Sequence, residues 1–229
     1  GKGKRKKAIP ESFQTIPGLL SYQTQKAPNH VALQIKRNDK WIRYTYQQFD
    51  QLSKKIAQQL WNSGYRHGDR ILLWADNQPE WGIAYFACAR IGVIVVPVDR
   101  QTPVTEAYAL AKFTDAKAIF TTSDIADGLN EIESKAIEYS QHNNSLVEML
   151  EIEVRDIGSE CRLVGTEEDT ASPARSPESA AIPPAEIKPE TIASIIFTSG
   201  TAYDPKGVML SHRNFIANVL SVAEALPPQ

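Results

Sequence analysis

The stretch RILLWADNQPEWGIAYFACARIGVIVVPVD, Arg70 to Asp99, reads as strand, helix and strand in succession. Arg70 to Ala75 is a short apolar run suited to a strand buried on both faces. Pro79 then opens a helix at a favoured first-turn position, Glu80 suits the positive end of its dipole, and Gly92 lies where it stops. Val93 to Val98 predicts the next strand, Pro103 to Phe113 another helix and Ala116 to Thr121 a third strand. This alternation is the signature of right-handed crossovers onto a parallel sheet. The fold class is α/β, a doubly wound, mostly parallel sheet with flanking helices.

Upstream, Val31 to Arg37 and Trp41 to Tyr46 are β-prone runs separated by Asn38, Asp39 and Lys40, which predicts a hairpin. Thr45 and Gln48 have capping-box spacing, and a helix follows with Phe49, Leu52, Ile56, Ala57 and Leu60 on one stripe and Gly64 past its end. Downstream of Ser123 the pattern weakens to a helix carrying Leu129, Ile132, Ala136 and Tyr139 and a strand over Leu146 to Val154. Gly165 to Pro189 is rich in Pro, Ser, Ala and Glu with no apolar period, the pattern of a mobile loop. Ile192 to Thr198 predicts a strand running into a polar loop. A final helix from about Ser211 to Leu226 would bury Phe215, Ile216, Val219, Leu220 and Ala223. The chain thus divides into a basic disordered tail (1–11), an α/β subdomain (12–164), a mobile loop (165–190) and the start of a second subdomain (191–229).

Composition supports a folded domain, because 42% of residues are hydrophobic and 23% charged, unlike an apolar-poor disordered chain. The net charge of −2 gives no basis for nucleic-acid binding. Lys2, Lys4, Arg5, Lys6 and Lys7 form a local basic run, read as a solvated terminus, with a tether to anionic lipid at a membrane surface or to nucleic acid as the alternative. Cys88 and Cys161 match no zinc or redox spacing, and Cys88, inside an apolar run, reads as a small buried hydrophobe. With no run of roughly 18 apolar residues and no signal-like segment, the expected location is cytoplasmic. Trp74, Trp81 and Phe86 read as core, His30 and His67 as lone loop residues, and Glu131, Glu133 and Glu138 as a solvated helix face.

The segment that carries chemistry is FTSGTAYDPKGVMLSH, Phe197 to His212. A buried strand ending in a loop of Thr, Ser, Gly and Lys suits a polyphosphate: hydroxyls and main-chain N–H groups donate, Gly permits close approach, and Lys206 supplies charge. The Walker pattern is not met, since Lys206 precedes Gly207 and no Ser or Thr follows the lysine. On chemistry alone, a phosphate site and an ordinary strand-to-helix turn are equal readings. His212 at the helix start either lines the site or turns its imidazole to solvent behind a Ser211 cap.

The segment resembles the phosphate-loop signature of the adenylate-forming (AMP-binding) acyl ligase superfamily, written T-S-G-T-T-G-x-P-K-G. Thr198, Ser199, Gly200, Thr201, Pro205, Lys206 and Gly207 match it. RYTYQQFDQLS (43–53), YRHGDRILLWADNQPEW (65–81) and ARIGVIVVPVD (89–99) also stand in the family's order. DNQPEW and VMLSH are most similar to long-chain fatty acyl-CoA and acyl-carrier-protein synthetases. The resemblance implies the large amino-terminal domain of an enzyme in which a fatty carboxylate attacks the α-phosphorus of ATP with Mg²⁺ present. Coenzyme A or a carrier's phosphopantetheine then takes the acyl group. It further implies that Thr198, Ser199, Thr201 and Lys206 contact the β- and γ-phosphates, while Gly200 and Gly207 shape the loop.

Two positions depart from the signature: Ala202 stands where it has Thr, and Tyr203 where it has Gly. Both lower the nucleotide affinity expected of this chain. The family's later motifs, including a catalytic lysine, have no counterpart here, because no lysine follows Lys206. The chain is therefore expected to be a truncated ligase, inactive alone and liable to associate through an open sheet edge. The alternative is a non-catalytic nucleotide-binding or interaction module that keeps the fold.

Overall fold

The computed structural model describes residues 13–126, 128–129, 153–157, 186–198 and 205–225. Its centre is a six-stranded sheet of β3 (Arg70–Trp74), β4 (Ile94–Val98), β5 (Ala118–Thr121), β6 (Glu153–Asp156), β7 (Ile192–Phe197) and β8 (Gly207–Ser211). The spatial order is β6-β5-β3-β4-β7-β8, parallel throughout except that β8 returns antiparallel to β7. A separate hairpin joins β1 (Val31–Arg37) to β2 (Lys40–Thr45).

The topology explains why β3 reads as apolar at every position from Ile71 to Trp74. From β3 the chain passes through α3 (Pro79–Arg90) to its neighbour β4, then through α4 (Val104–Phe113) back to β5 on the far side of β3. Right-handed crossovers in opposite directions put the two helices on opposite faces. Ile71 and Leu73 accordingly pack in the cluster containing Ile83, Ala87 and Cys88 of α3. Leu72 and Trp74 pack with Ala107, Tyr108 and Ala111 of α4. The α3 face also takes α1 (Ile16–Lys26), α2 (Tyr46–Asn62) and Phe215 of α5 (His212–Ala225).

Local chemistry sets the boundaries. Both halves of the capping box form at α2, with the Gln48 main-chain N–H donating to Thr45 and the Thr45 N–H to the Gln48 side chain. The β1–β2 turn is shorter than expected: Asn38 (φ 48°) and Asp39 (φ 60°) fill a two-residue turn of the kind that matches strand twist, so Lys40 already belongs to β2. Gly92 ends α3 as expected, at φ 74°. Helix α1 has no counterpart in the periodicity reading. Its signals are local, Thr15 accepting the Gly18 N–H at 3.1 Å and Pro17 in the first turn.

Several expectations are corrected. The run after Phe197 is not loop all the way to His212, because Gly207–Ser211 forms β8. Val219, expected on the buried stripe of the last helix, is 41% exposed, while Ile216 is buried. Of the strand expected over 146–154, residues 146–152 lie outside the described residues, and Glu153 and Val154 belong to β6, which runs to Asp156. Positions 1–12, 127, 130–152, 158–185, 199–204 and 226–229 lie outside the described residues, and so do the basic tail, Cys161, Glu131, Glu133, Glu138 and most of the expected mobile loop.

Candidate nucleotide site

Strand β7 ends at Phe197, which pairs with Gly207, the first residue of β8. Thr198 and Lys206 therefore stand on the two sides of an antiparallel hairpin where it opens at the carboxyl end of β7. Both are exposed, and Lys206 has no acidic partner among the described residues. A hydroxyl donor and a free ammonium at this end of a parallel strand fit a polyphosphate. Ser199, Gly200 and Thr201, with Ala202 and Tyr203, lie outside the described residues. Of the six residues named from sequence, the structure thus places Thr198, Lys206 and Gly207 together.

The strand feeding this hairpin is fixed from below. The Tyr85 hydroxyl of α3 lies 2.6 Å from Ser194 Oγ, both buried, and burial pushes the Tyr85 phenol up to about 12. Tyr85 is also stacked between Trp81 (5.2 Å) and Phe215 (5.1 Å), which joins α3 to the helix that follows β8.

His212 belongs to the other end of the molecule. Its main-chain N–H donates to the Thr191 carbonyl and that of Arg213 to Pro189, so the helix starts beside the amino end of β7, opposite Thr198. The return of the chain along β8 is the physical reason. The imidazole neither lines the site nor faces solvent: it is fully buried, and Nδ1 accepts the Ile16 N–H at 3.0 Å. Burial, aided by the charge of nearby His67, lowers its pKa to about 4. Ser211 does cap the helix, accepting the Asn214 N–H at 3.1 Å.

A second crevice, of about 290 Å³, opens between the carboxyl ends of β3 and β4 and is bordered by Asp76, Asn77, Trp81, Asp99 and Arg100. The chain leaves these strands toward opposite faces, which makes this the topological switch point where open α/β sheets bind ligands. Its electrostatics disfavour phosphate. Arg100 is already bridged to Asp76 at 2.8 Å and Asp124 at 2.5 Å, leaving the carboxylates in excess. Sequence reading missed this crevice, although D-N-Q-P directly after a buried strand and D-R after the next were the available signals. Trp81, expected in the core, is partly buried at its rim.

Fold and topology together define an open, mostly parallel α/β sheet, the class in which ligands bind beyond the carboxyl ends of the strands. Residues 20–228 match the model of the AMP-binding enzyme family, and the chain belongs to that family. It is 27% identical over 215 residues to a medium/long-chain-fatty-acid–[acyl-carrier-protein] ligase, FadD10, of Mycobacterium tuberculosis, covering 94% of this chain and 36% of the relative. It is 29% identical over 197 residues to long-chain-fatty-acid–CoA ligase 5 of Mus musculus, covering 82% and 28%. The fold is similar to that of a fatty acyl-adenylate ligase from L. pneumophila, solved with acyl adenylate and pyrophosphate. The TM-score is 0.67 at 22% identity, over 92% of this chain and 32% of that one. The chain spans about a third of the length of these relatives.

Proposed function

We propose that this chain is the phosphate-gripping part of an ATP-dependent fatty acyl ligase. The carrying observation is the hairpin that sets Thr198 and Lys206 at one opening beyond β7, inside a segment matching the signature of the family to which the chain belongs. ATP, as a substrate, would supply the adenylyl group that makes a carboxylate reactive toward a thiol, with pyrophosphate leaving as the acyl-adenylate forms and AMP leaving when the thiol attacks it. The chain's own contribution is to hold and neutralise the phosphates: Lys206 offsets charge, Thr198 donates a hydrogen bond, and Ser199 and Thr201 add hydroxyls by their place in the signature. A fatty acid as the activated acid is supported by the names of the two relatives above.

The test is calorimetric titration of ATP with Mg²⁺ into the 229-residue chain. Binding is expected, weakened about 10- to 100-fold by Lys206→Ala, as for loss of a charged hydrogen bond. No binding by the unaltered chain overturns the reading. ATP–pyrophosphate exchange with mixed fatty acids separates grip from turnover. Binding without exchange is expected of these 229 residues, which span about a third of the length of the relatives.

A further inference from the structure

A glycine in a strand ordinarily weakens it, having no side chain to pack and the most backbone freedom to lose. Gly207 is compensated from across the ladder. A Cβ added to it would stand 3.0 Å and 3.1 Å from Cε1 and Cζ of Phe197 and 2.8 Å from Cγ2 of Ile195. The Phe197 ring thus occupies the room that a side chain at 207 would need, the cross-strand aromatic cover known to rescue glycines in sheets. Phe113 of α4 meets the same ring edge-on, with centroids 5.9 Å apart and planes at 80°. Phe197 and Ile195 otherwise pack on the α4-side core.

These contacts sit at the base of the proposed phosphate grip. Phe197 directly precedes Thr198, and Gly207 directly follows Lys206. Any opening of the Phe197–Gly207 pair would therefore spread the hydroxyl and the ammonium that have to converge on one anion. Gly207 keeps the two strands close, and Phe113 ties the hairpin to a helix on the other side of the topological switch.

Resting on the nucleotide reading above, we propose that Phe197 is a positioning residue for the polyphosphate: its ring, clamped over Gly207 and braced by Phe113, sets the separation of Thr198 and Lys206. It acts through those two residues and not by touching the ligand. Conserving the ring should conserve the grip, and removing it should uncouple Lys206 from binding.

The experiment is a double-mutant cycle on the 229-residue chain, read by calorimetry with ATP and Mg²⁺, with far-UV circular dichroism as the check on folding. Phe197→Ala is expected to weaken binding about tenfold, Phe197→Tyr less than about twofold, and Phe113→Ala about threefold. Lys206→Ala should cost at least about threefold less in the Phe197→Ala background than in the unaltered chain. Independent, multiplicative losses in a folded Phe197→Ala chain overturn the proposal, as does a Tyr variant as weak as the Ala variant. If Phe197→Ala does not fold, the cycle between Phe113 and Lys206 decides by the same criterion, Phe113 being 61% exposed and tolerant of truncation. An unaltered chain that fails to bind ATP removes the nucleotide reading and this proposal together, whereas binding with an additive cycle removes this proposal alone.

Discussion

The buried imidazole of His212 accepts the main-chain N–H of Ile16 at 3.0 Å, joining the first described helix to the last across 196 positions of sequence. Its other nitrogen, Nε2, is buried without a hydrogen-bond partner among the described residues. The ring must therefore stay neutral, and its pKa of about 4 lies below the ordinary 6.5. For a folded-state value lowered in this way, the stabilisation is complete above pH 6.5 and is lost as pH falls toward 4, because the unfolded chain takes up the proton first. The loss amounts to roughly 3 kcal/mol over that window. Melting temperatures from pH 7.5 to 4 should fall more steeply for the unaltered chain than for His212→Gln, whose carbonyl can accept the Ile16 N–H without titrating. Parallel curves would refute the assignment.

The central layer was legible because the residues that build it obey one constraint at a time. Ile71 to Trp74 must be apolar on both faces, and Pro79 and Gly92 punctuate α3 without tertiary help. Helix α1 was not legible, since its stripe is weak and Ile16 and Leu20 are placed by packing on α2 and α3. Strand β8 was hidden for a related reason: Gly207 is a poor strand former alone and depends on Phe197 across the ladder. The position of His212 followed from that hidden strand, so one missed element misplaced one residue. Lys206 and Thr198 were readable as candidates by residue type, but their shared opening is a property of the β7–β8 pairing.

Glu80 begins α3 under a bidentate Arg37 guanidinium, with both contacts at 2.8 Å. Burial pushes its carboxyl up, yet the Arg37 hydrogen bonds, together with Tyr44, hold the net value below the ordinary carboxylate range. Glu80 is almost fully buried while Arg37 is half-exposed, so removing the arginine strands a charge at modest relief of desolvation. Arg37→Met should destabilise by roughly 2–3 kcal/mol at pH 7, somewhat less than for a fully buried pair. Chemical denaturation would show it, and the deficit should shrink as pH falls and Glu80 protonates. A loss under about 0.5 kcal/mol would mean the pair behaves as a surface bridge.

Gly92 combines a left-handed φ of 74° with a close approach, since a Cβ there would lie 2.4 Å from Cδ2 of His67. The exposed His67 ring can swing away, so the backbone term dominates. Gly92→Ala is expected to cost about 1–2 kcal/mol in thermal or denaturant unfolding. Adding His67→Ala should recover little of it. Full recovery in the double variant would show instead that the ring contact was the larger effect.

Ala202 and Tyr203 offer the sharpest test of the nucleotide reading, because they are the two places where the chain departs from the phosphate-loop signature it resembles. Threonine at 202 would restore a hydroxyl donor, and glycine at 203 would remove a bulky side chain from a position the signature reserves for the least restricted backbone. Each change favours phosphate binding, by independent means. The double variant Ala202→Thr with Tyr203→Gly should therefore bind ATP with Mg²⁺ about tenfold or more tightly than the unaltered chain, a gain of roughly 1.4 kcal/mol. Lys206→Ala should abolish that gain if the same anion is being held. Equal affinities in the original and double variant would refute the claim that Ala202 and Tyr203 weaken the grip.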